Sequence, residues 1–264
     1  MSAIIVDDEI VHYEVLGRGR PLIFVHGWLG SWRYWIPTMQ ALSAEFRTYA
    51  LDLWGFGDTS KKTERYSLEA QAELLHGFMD QLGILKAAFV GHGLGGAVVV
   101  RFARNYPDWA DRAMTVSMPL SPAAVASQLT TPALSLATLV ESLLGKGPAV
   151  DPIVAEARKT DLAAVETSLR AVLEKDALAD IKELRPSCLL VYGDKDPLIA
   201  PPQDGALADL TNNVHRVGLE ESRHFPMLDE AAKFNRLLGD FLALKSGERL
   251  GNLELKEEWK RRVR

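Results

Sequence analysis

Five short segments of this 264-residue chain concentrate histidines, aspartates and closely spaced glycines. These are the residue types of proton transfer and of backbone donors that cradle an anion. In chain order they are His26-Gly27-Trp28, Asp52-Leu53-Trp54-Gly55-Phe56-Gly57, Gly91-His92-Gly93-Leu94-Gly95-Gly96, Gly193-Asp194-Lys195-Asp196 and Ser222-Arg223-His224-Phe225-Pro226. Each follows a run that reads as a β-strand. One segment alone is a weak signal, but five at the carboxyl ends of successive strands are a strong one, because open α/β sheets bind ligands there.

The elements that must position them alternate. Residues 3–7 and 10–15 read as a strand pair joined at Asp7-Asp8-Glu9, and 21–26 as a buried strand. An aromatic-rich stretch of helical character follows at 32–43, then a strand at 46–52. Residues 68–82 pattern as a helix with Ser67 as N-cap. A strand at 87–90, a helix at 94–105 and a strand at 112–117 complete the first half. Strand and helix alternation resumes with 187–192, a helix near 203–210, a strand at 214–217 and one helix over 227–244. This pattern predicts an α/β fold, a mostly parallel central sheet flanked by helices. Residues 119–185 hold Pro122, Pro132, Pro148 and Pro152 and then helical patterns without a convincing strand. We read the chain as a core over 1–118 and 186–245, a small helical cap over 119–185 and a C-terminal extension over 246–264. In the extension, Leu250, Leu253 and Trp259 are expected to dock on the body while Lys260-Arg261-Arg262 face water.

Composition narrows the function classes. The chain is 47% apolar, enough for one sizeable core, and its formal net charge of −5 is spread without a block of either sign. Nothing in it points to nucleic acid. The longest apolar runs are too short to cross a bilayer, and the N-terminus lacks a basic segment before an apolar one. The lone Cys188 cannot form an internal disulfide, which suits a reducing compartment. A cytoplasmic protein without an integral membrane segment is expected. Its histidines are too scattered for a metal site, no cofactor is expected, and nothing indicates an oligomeric state.

On these segments the sequence resembles the α/β-hydrolase family over roughly residues 3–244. The family carries its nucleophile in a G-x-S-x-G elbow, followed later in the chain by an acid and then a histidine. The resemblance implies that Asp196 is the acid and His224 the histidine, with Asp196 holding the imidazole in the tautomer that accepts a proton. It also implies that the backbone N–H groups of Trp28 and Leu94 form the oxyanion hole. The departure is at the centre: the nucleophile position is Gly93, which has no hydroxyl. An acyl-enzyme is therefore not expected, and an aspartate nucleophile for halide release is equally absent. Glycine adopts the elbow's strained backbone freely and is expected to relax the turn while preserving the fold. Two origins fit, a natural loss of the nucleophile or a deliberate Ser→Gly replacement. A second departure is Trp54, where the family often has proline. Together with Gly27, Trp28, Trp32 and Trp35 it is expected to line a pocket for aromatic or acyl groups.

Other readings fit less well. Gly91, Gly93 and Gly96 satisfy G-x-G-x-x-G, but the next strand ends in Thr115-Val116-Ser117-Met118 and offers no acid to a ribose. Ser31 lies off the elbow, and Cys188 opens a buried strand. Three functional readings remain. The parent activity is hydrolysis of a small carboxylic ester or related carbonyl compound, silenced at Gly93. Alternatively, the chain is an inactive relative that binds a small apolar ligand under the cap. In the third, His224 activates a water directly, which is worth about 10²–10⁴-fold and gives slow hydrolysis.

Overall fold

Asp7 and Asp8 both adopt positive φ, 47° and 64°, the backbone that a two-residue mirror-image turn demands. They join β1 (Ser2–Val6) to β2 (Glu9–Gly17) in antiparallel register, Val6 opposite Glu9. The computed structural model describes residues 2–130, 136–148, 150–174, 177–207, 210, 213–245, 248 and 250–253. After β2 come β3 (Arg20–Val25), a 3-10 turn at Trp32–Trp35, α1 (Ile36–Leu42), β4 (Phe46–Leu51), α2 (Leu68–Gln81), β5 (Ala87–His92), α3 (Leu94–Asn105) and β6 (Ala110–Val116). Among the described residues, five helices lie between β6 and the next strand: α4 (Ser127–Thr130), α5 (Leu136–Leu144), α6 (Asp151–Ala157), α7 (Leu162–Glu174) and α8 (Ala177–Lys182). Then follow β7 (Ser187–Gly193), β8 (Val214–Leu219), α9 (Pro226–Asp229) and α10 (Ala231–Ala243). As expected, Ser67 caps α2, its side chain accepting from the Ala70 N–H at 3.1 Å.

The eight strands form one sheet in the order β1-β2-β4-β3-β5-β6-β7-β8. The β1–β2 and β2–β4 pairs are antiparallel and the remaining five are parallel. From β3 the chain steps outward to β4, then returns to the other side of β3 as β5. The strand order thus reverses between β3 and β5, and a crevice opens at their carboxyl ends. Both strands are covered on both faces, so Leu22–Val25 and all of β5 are buried and read as apolar runs rather than alternating ones.

Helix α3 reaches this crevice because two glycines let it. A Cβ on Gly91 would lie 2.2 Å from the Gly95 carbonyl oxygen. A Cβ on Gly95 would lie 2.3 Å from the Val25 oxygen and 2.5 Å from that of His26. Each collision is with backbone, which has nowhere to go in a packed interior.

Two expected helices differ. Where a helix is expected near 203–210, the described residues form a 3-10 turn at Asp204–Leu207, with Pro201 and Pro202 before it and Gly205 within it. The helix expected over 227–244 is broken at Glu230, with φ −126° and ψ 52°. The Glu230 carboxylate accepts from the Glu221 N–H at 3.1 Å and from the Ser222 hydroxyl at 2.8 Å, which pins the backbone there. In the extension, Leu250 and Leu253 are buried; Trp259 and Lys260-Arg261-Arg262 lie outside the described residues.

Gly95→Ala is expected to cost about 3 kcal/mol, at the upper end of overpacking effects. Gly239→Ala, in α10 with no atom within 4 Å of the added Cβ, gains about 0.5–1 kcal/mol instead. Urea unfolding midpoints of the two variants check the contrast.

Candidate active site

Gly93 caps α3 with φ 50° and ψ −113°. Its N–H donates to the Val116 carbonyl at 2.8 Å, and its own carbonyl accepts from Gly96 at 3.1 Å and Ala97 at 3.3 Å. A residue with a Cβ would carry about 1–3 kcal/mol of strain there. Glycine relieves that energy, but the turn keeps its sharp shape, so the expected relaxation is one of strain and not of geometry. Unlike its neighbours at 91 and 95, Gly93 is not forced by crowding. A Cβ built on it would sit 3.5 Å from Cε3 and Cζ3 of Trp28 and 3.8 Å from the Gly27 Cα, ordinary contact distances.

His224, which follows β8, and Asp196, which follows β7, come together. Nδ1 of His224 lies 2.9 Å from Oδ2 of Asp196 and 3.2 Å from Oδ1. An ionised carboxylate only accepts, so Nδ1 carries a proton, and in the neutral ring Nε2 keeps the lone pair. Oδ1 of Asp196 also accepts from the Leu198 N–H at 2.8 Å and the Ile199 N–H at 3.2 Å. Burial opposes the charge on Asp196, but the His224 ring and these donors outweigh it and hold the carboxyl below its ordinary range. Asp194 is exposed. Ser31 is spent capping the 3-10 turn at Arg33 N–H, and burial pushes the Cys188 thiol up to about 12.

The loop after β3 presents Trp28, and Leu94 opens α3, where a helix has unsatisfied N–H groups and a partial positive charge. Two buried groups tie this loop to the one after β4. His26 donates from Nδ1 to the Gly27 carbonyl at 2.9 Å and accepts the Leu53 N–H on Nε2 at 3.0 Å. Asp52, wholly buried, accepts from the Trp32 N–H at 3.1 Å, the Asp58 N–H at 3.2 Å and His12 Nδ1 at 2.9 Å. The Trp54 backbone exchanges two bonds of 2.9 Å with the Gln71 amide.

All four tryptophans expected at a pocket wall are buried and share one apolar core. Trp35 packs on Phe24 and Phe234, Trp32 stands edge-on to His12, and Trp54 lies under the Arg65 guanidinium. Trp28 is different. Its ring covers Gly93, and its indole N–H donates to the Ser168 hydroxyl on α7 at 3.0 Å. A cavity of about 500 Å³ lies apart from the elbow, between α3 and the α7–α8 pair, lined among others by Ala97, Val100, Pro119 and Val172. Tyr34 and Ser168 were not singled out from sequence, since an aromatic in an aromatic-rich stretch and a serine in a helix carry no distinguishing pattern. Among the described residues, no group of three or more His, Cys, Asp or Glu is placed to hold a metal ion, and no helix is long and apolar enough to cross a membrane.

The buried His12–Asp52 pair generates a pH dependence. For Asp52, burial is outweighed by His12, His26 and the Trp32 N–H, and its carboxyl falls below the usual 3.8. For His12, burial is outweighed by Asp52, and its imidazole rises above the usual 6.5. A depressed carboxyl contributes stability above its unfolded value and loses it as pH falls; a raised imidazole contributes below its unfolded value and loses it as pH rises. The stability deficit of His12→Gln is therefore widest between about pH 4 and 6.5 and narrows on either side. Denaturant midpoints of parent and variant from pH 3 to 9 test this.

Known proteins share this fold. The model of the alpha/beta hydrolase fold family matches residues 20–149. The soluble epoxide hydrolase of Corynebacterium sp. (strain C12) is 33% identical over 108 residues, 41% of this chain and 38% of that protein. The chain thus spans less than two-fifths of the length of that relative. RutD of Stutzerimonas stutzeri (strain A1501), named as a carbamate hydrolase, is 27% identical over 267 residues, covering 90% of this chain and 98% of that one. The crystal structure of a hydrolase from Pseudomonas aeruginosa PA01 superposes with a TM-score of 0.80 at 20% identity, covering 92% and 98% of the two chains. With its strand order, its helix-opening elbow and these likenesses, this chain has the α/β-hydrolase fold.

Proposed function

We propose that this chain is a serine-hydrolase scaffold for a small carboxylic ester or related carbonyl compound, silenced at acyl transfer by Gly93. The observation that carries the reading is the elbow itself. It keeps φ 50° and ψ −113° and has room for a Cβ, in a site where His224 and Asp196 remain paired. With serine at 93, the Nε2 lone pair of His224 would take the hydroxyl proton as the oxygen attacks the carbonyl. The N–H groups of Trp28 and Leu94 would receive the oxyanion, and His224 would return the proton to the leaving alcohol. Water would then release the acid by the same route. Without the hydroxyl the first bond cannot form. In subtilisin, loss of the nucleophile costs about a millionfold in turnover, and a deficit of that order is expected here. The names of the relatives supply only the common theme of hydrolysis, since one fold serves many substrates.

A second reading, binding of a small apolar ligand without turnover, is favoured by the cavity of about 500 Å³ beneath α7 and α8. That volume suits a small-molecule site.

The test sets the parent beside Gly93→Ser on p-nitrophenyl and aryl esters. The variant loses about 1–3 kcal/mol of stability to strain, so its fold is checked by circular dichroism. It is expected to show an acyl-enzyme burst and turnover at least about 10³-fold above the parent. His224→Ala in that background abolishes the gain, and a fluorophosphonate labels the variant but not the parent. A folded variant that hydrolyses nothing in the panel, or labelling of the parent at another serine, overturns the reading.

A further inference from the structure

Three buried hydrogen bonds run in series through the middle of the site. The Gly27 N–H donates to the Tyr34 hydroxyl oxygen at 2.6 Å. That hydroxyl lies 3.1 Å from Nδ1 of His92, and Nε2 of His92 lies 2.9 Å from the backbone carbonyl of His224. Their polarity is determined from one end. A carbonyl only accepts, so His92 carries its proton on Nε2, which leaves Nδ1 with a lone pair. The Tyr34 O–H must then donate to Nδ1, and its oxygen lone pair receives the Gly27 N–H. One assignment of protons satisfies every member.

We propose that Tyr34 and His92 are positioning residues: a strut that holds the Gly27-Trp28 loop and the His224 backbone at a fixed separation across Gly93. This rests on the catalytic reading above and adds two residues to it. Three further observations support it. A Cβ on Gly27 would fall 2.9 Å from both Nδ1 and the carbonyl oxygen of His92, so the loop is pressed against the strut. The rings interlock, His92 edge-on to His224 with centroids 4.6 Å apart and Tyr34 edge-on to Phe225 at 5.6 Å. Burial, joined by the nearby His224, keeps His92 neutral, and burial also keeps the Tyr34 hydroxyl protonated. The polarity has a consequence for the oxyanion. Tyr34 consumes the Gly27 N–H, so the donor the loop offers toward the elbow is that of Trp28. The strut is anchored in turn, because Tyr34 stands on the 3-10 turn whose Trp32 N–H is held by Asp52.

Tyr34→Phe removes the middle bonds and leaves a buried N–H and a buried lone pair without partners. In the Gly93→Ser background it should lower kcat by about ten- to a hundred-fold with KM nearly unchanged, the pattern of a lost transition-state geometry. Tyr106→Phe, which removes an exposed hydroxyl bond to Glu73, serves as the control and leaves kcat unchanged. His92→Gln, which keeps a donor toward the His224 carbonyl, should retain more of kcat than His92→Leu. The parent protein supplies a readout that needs no activity. Its Gly27 amide proton should resonate far downfield and its His224 Nδ1 proton should be sharp; in Tyr34→Phe the first moves upfield and the second broadens. If Gly93→Ser hydrolyses no ester, the catalytic reading fails while these resonances still decide the strut. The proposal is overturned if Tyr34→Phe lowers only the melting temperature, leaving both resonances and kcat as they were. Should Tyr34→Phe not fold, the two histidine variants and the parent's resonances decide by the same criteria.

Discussion

The backbone contact between α3 and the β3–β5 pair is the constraint on which the rest of the site depends. At Gly91 and Gly95 the helix lies so close to the sheet that a methyl group would strike a carbonyl oxygen at 2.2–2.3 Å. That closeness brings the first turn of α3 to the crevice where the strand order reverses, with its unsatisfied N–H groups facing the ends of the strands. A side chain at either position would push the helix outward and carry Leu94 away from Trp28. Gly93 stands between them under no such pressure, and the same turn that forbids a side chain at 91 and 95 would accept one at 93.

Around this contact the loops are held by buried polar bonds, not by apolar packing alone. His26 joins the loops after β3 and β4, Asp52 gathers His12, the 3-10 turn and Asp58, and Tyr34 with His92 spans from Gly27 to His224. Each of these groups is almost without exposure, so breaking one bond leaves a polar atom in a medium that cannot replace water. Loops tied in this way have few alternatives, and a site assembled from five separate strand ends stays in register.

The helices between β6 and β7 are attached in a different manner. Ion pairs fasten them at the rim: Arg101 and Arg104 to Asp180 on α8, and Arg33 to Glu156 on α6, which also meets Lys159 beside Asp58. Most of these pairs are partly exposed, where ion pairs contribute little individually. Among the described residues, Oε2 of Glu156 is buried without a partner, a cost that the rest of its cluster must offset. Another contact reaches the elbow, the bond from Trp28 to Ser168. Through it α7 holds the indole over Gly93, so any movement of that helix moves the ring that covers the elbow.

The sequence alone determined the alternation of strands and helices through residue 118, because apolar runs and amphipathic periods are local properties of the chain. It also singled out Gly93, Asp196 and His224, since a motif at a strand end is legible wherever the strand is. The partnership of Asp196 with His224, 28 residues apart, needed the parallel pairing of β7 with β8 to become a distance. Tertiary structure alone decided the fate of the tryptophans. Burial depends on what lies opposite, and all four entered the core, Trp28 against Gly93, Trp32 against His12 and Trp35 against Phe24 and Phe234. It also decided the break at Glu230, where a side chain reaching back to Glu221 and Ser222 outweighed a continuous helical pattern. Tyr34 is the plainest case. Nothing in its neighbourhood of aromatics distinguishes it, because its role is set by a glycine seven residues away and a histidine 58 residues away, and hydrogen-bond polarity across such a span exists only once the chain has folded.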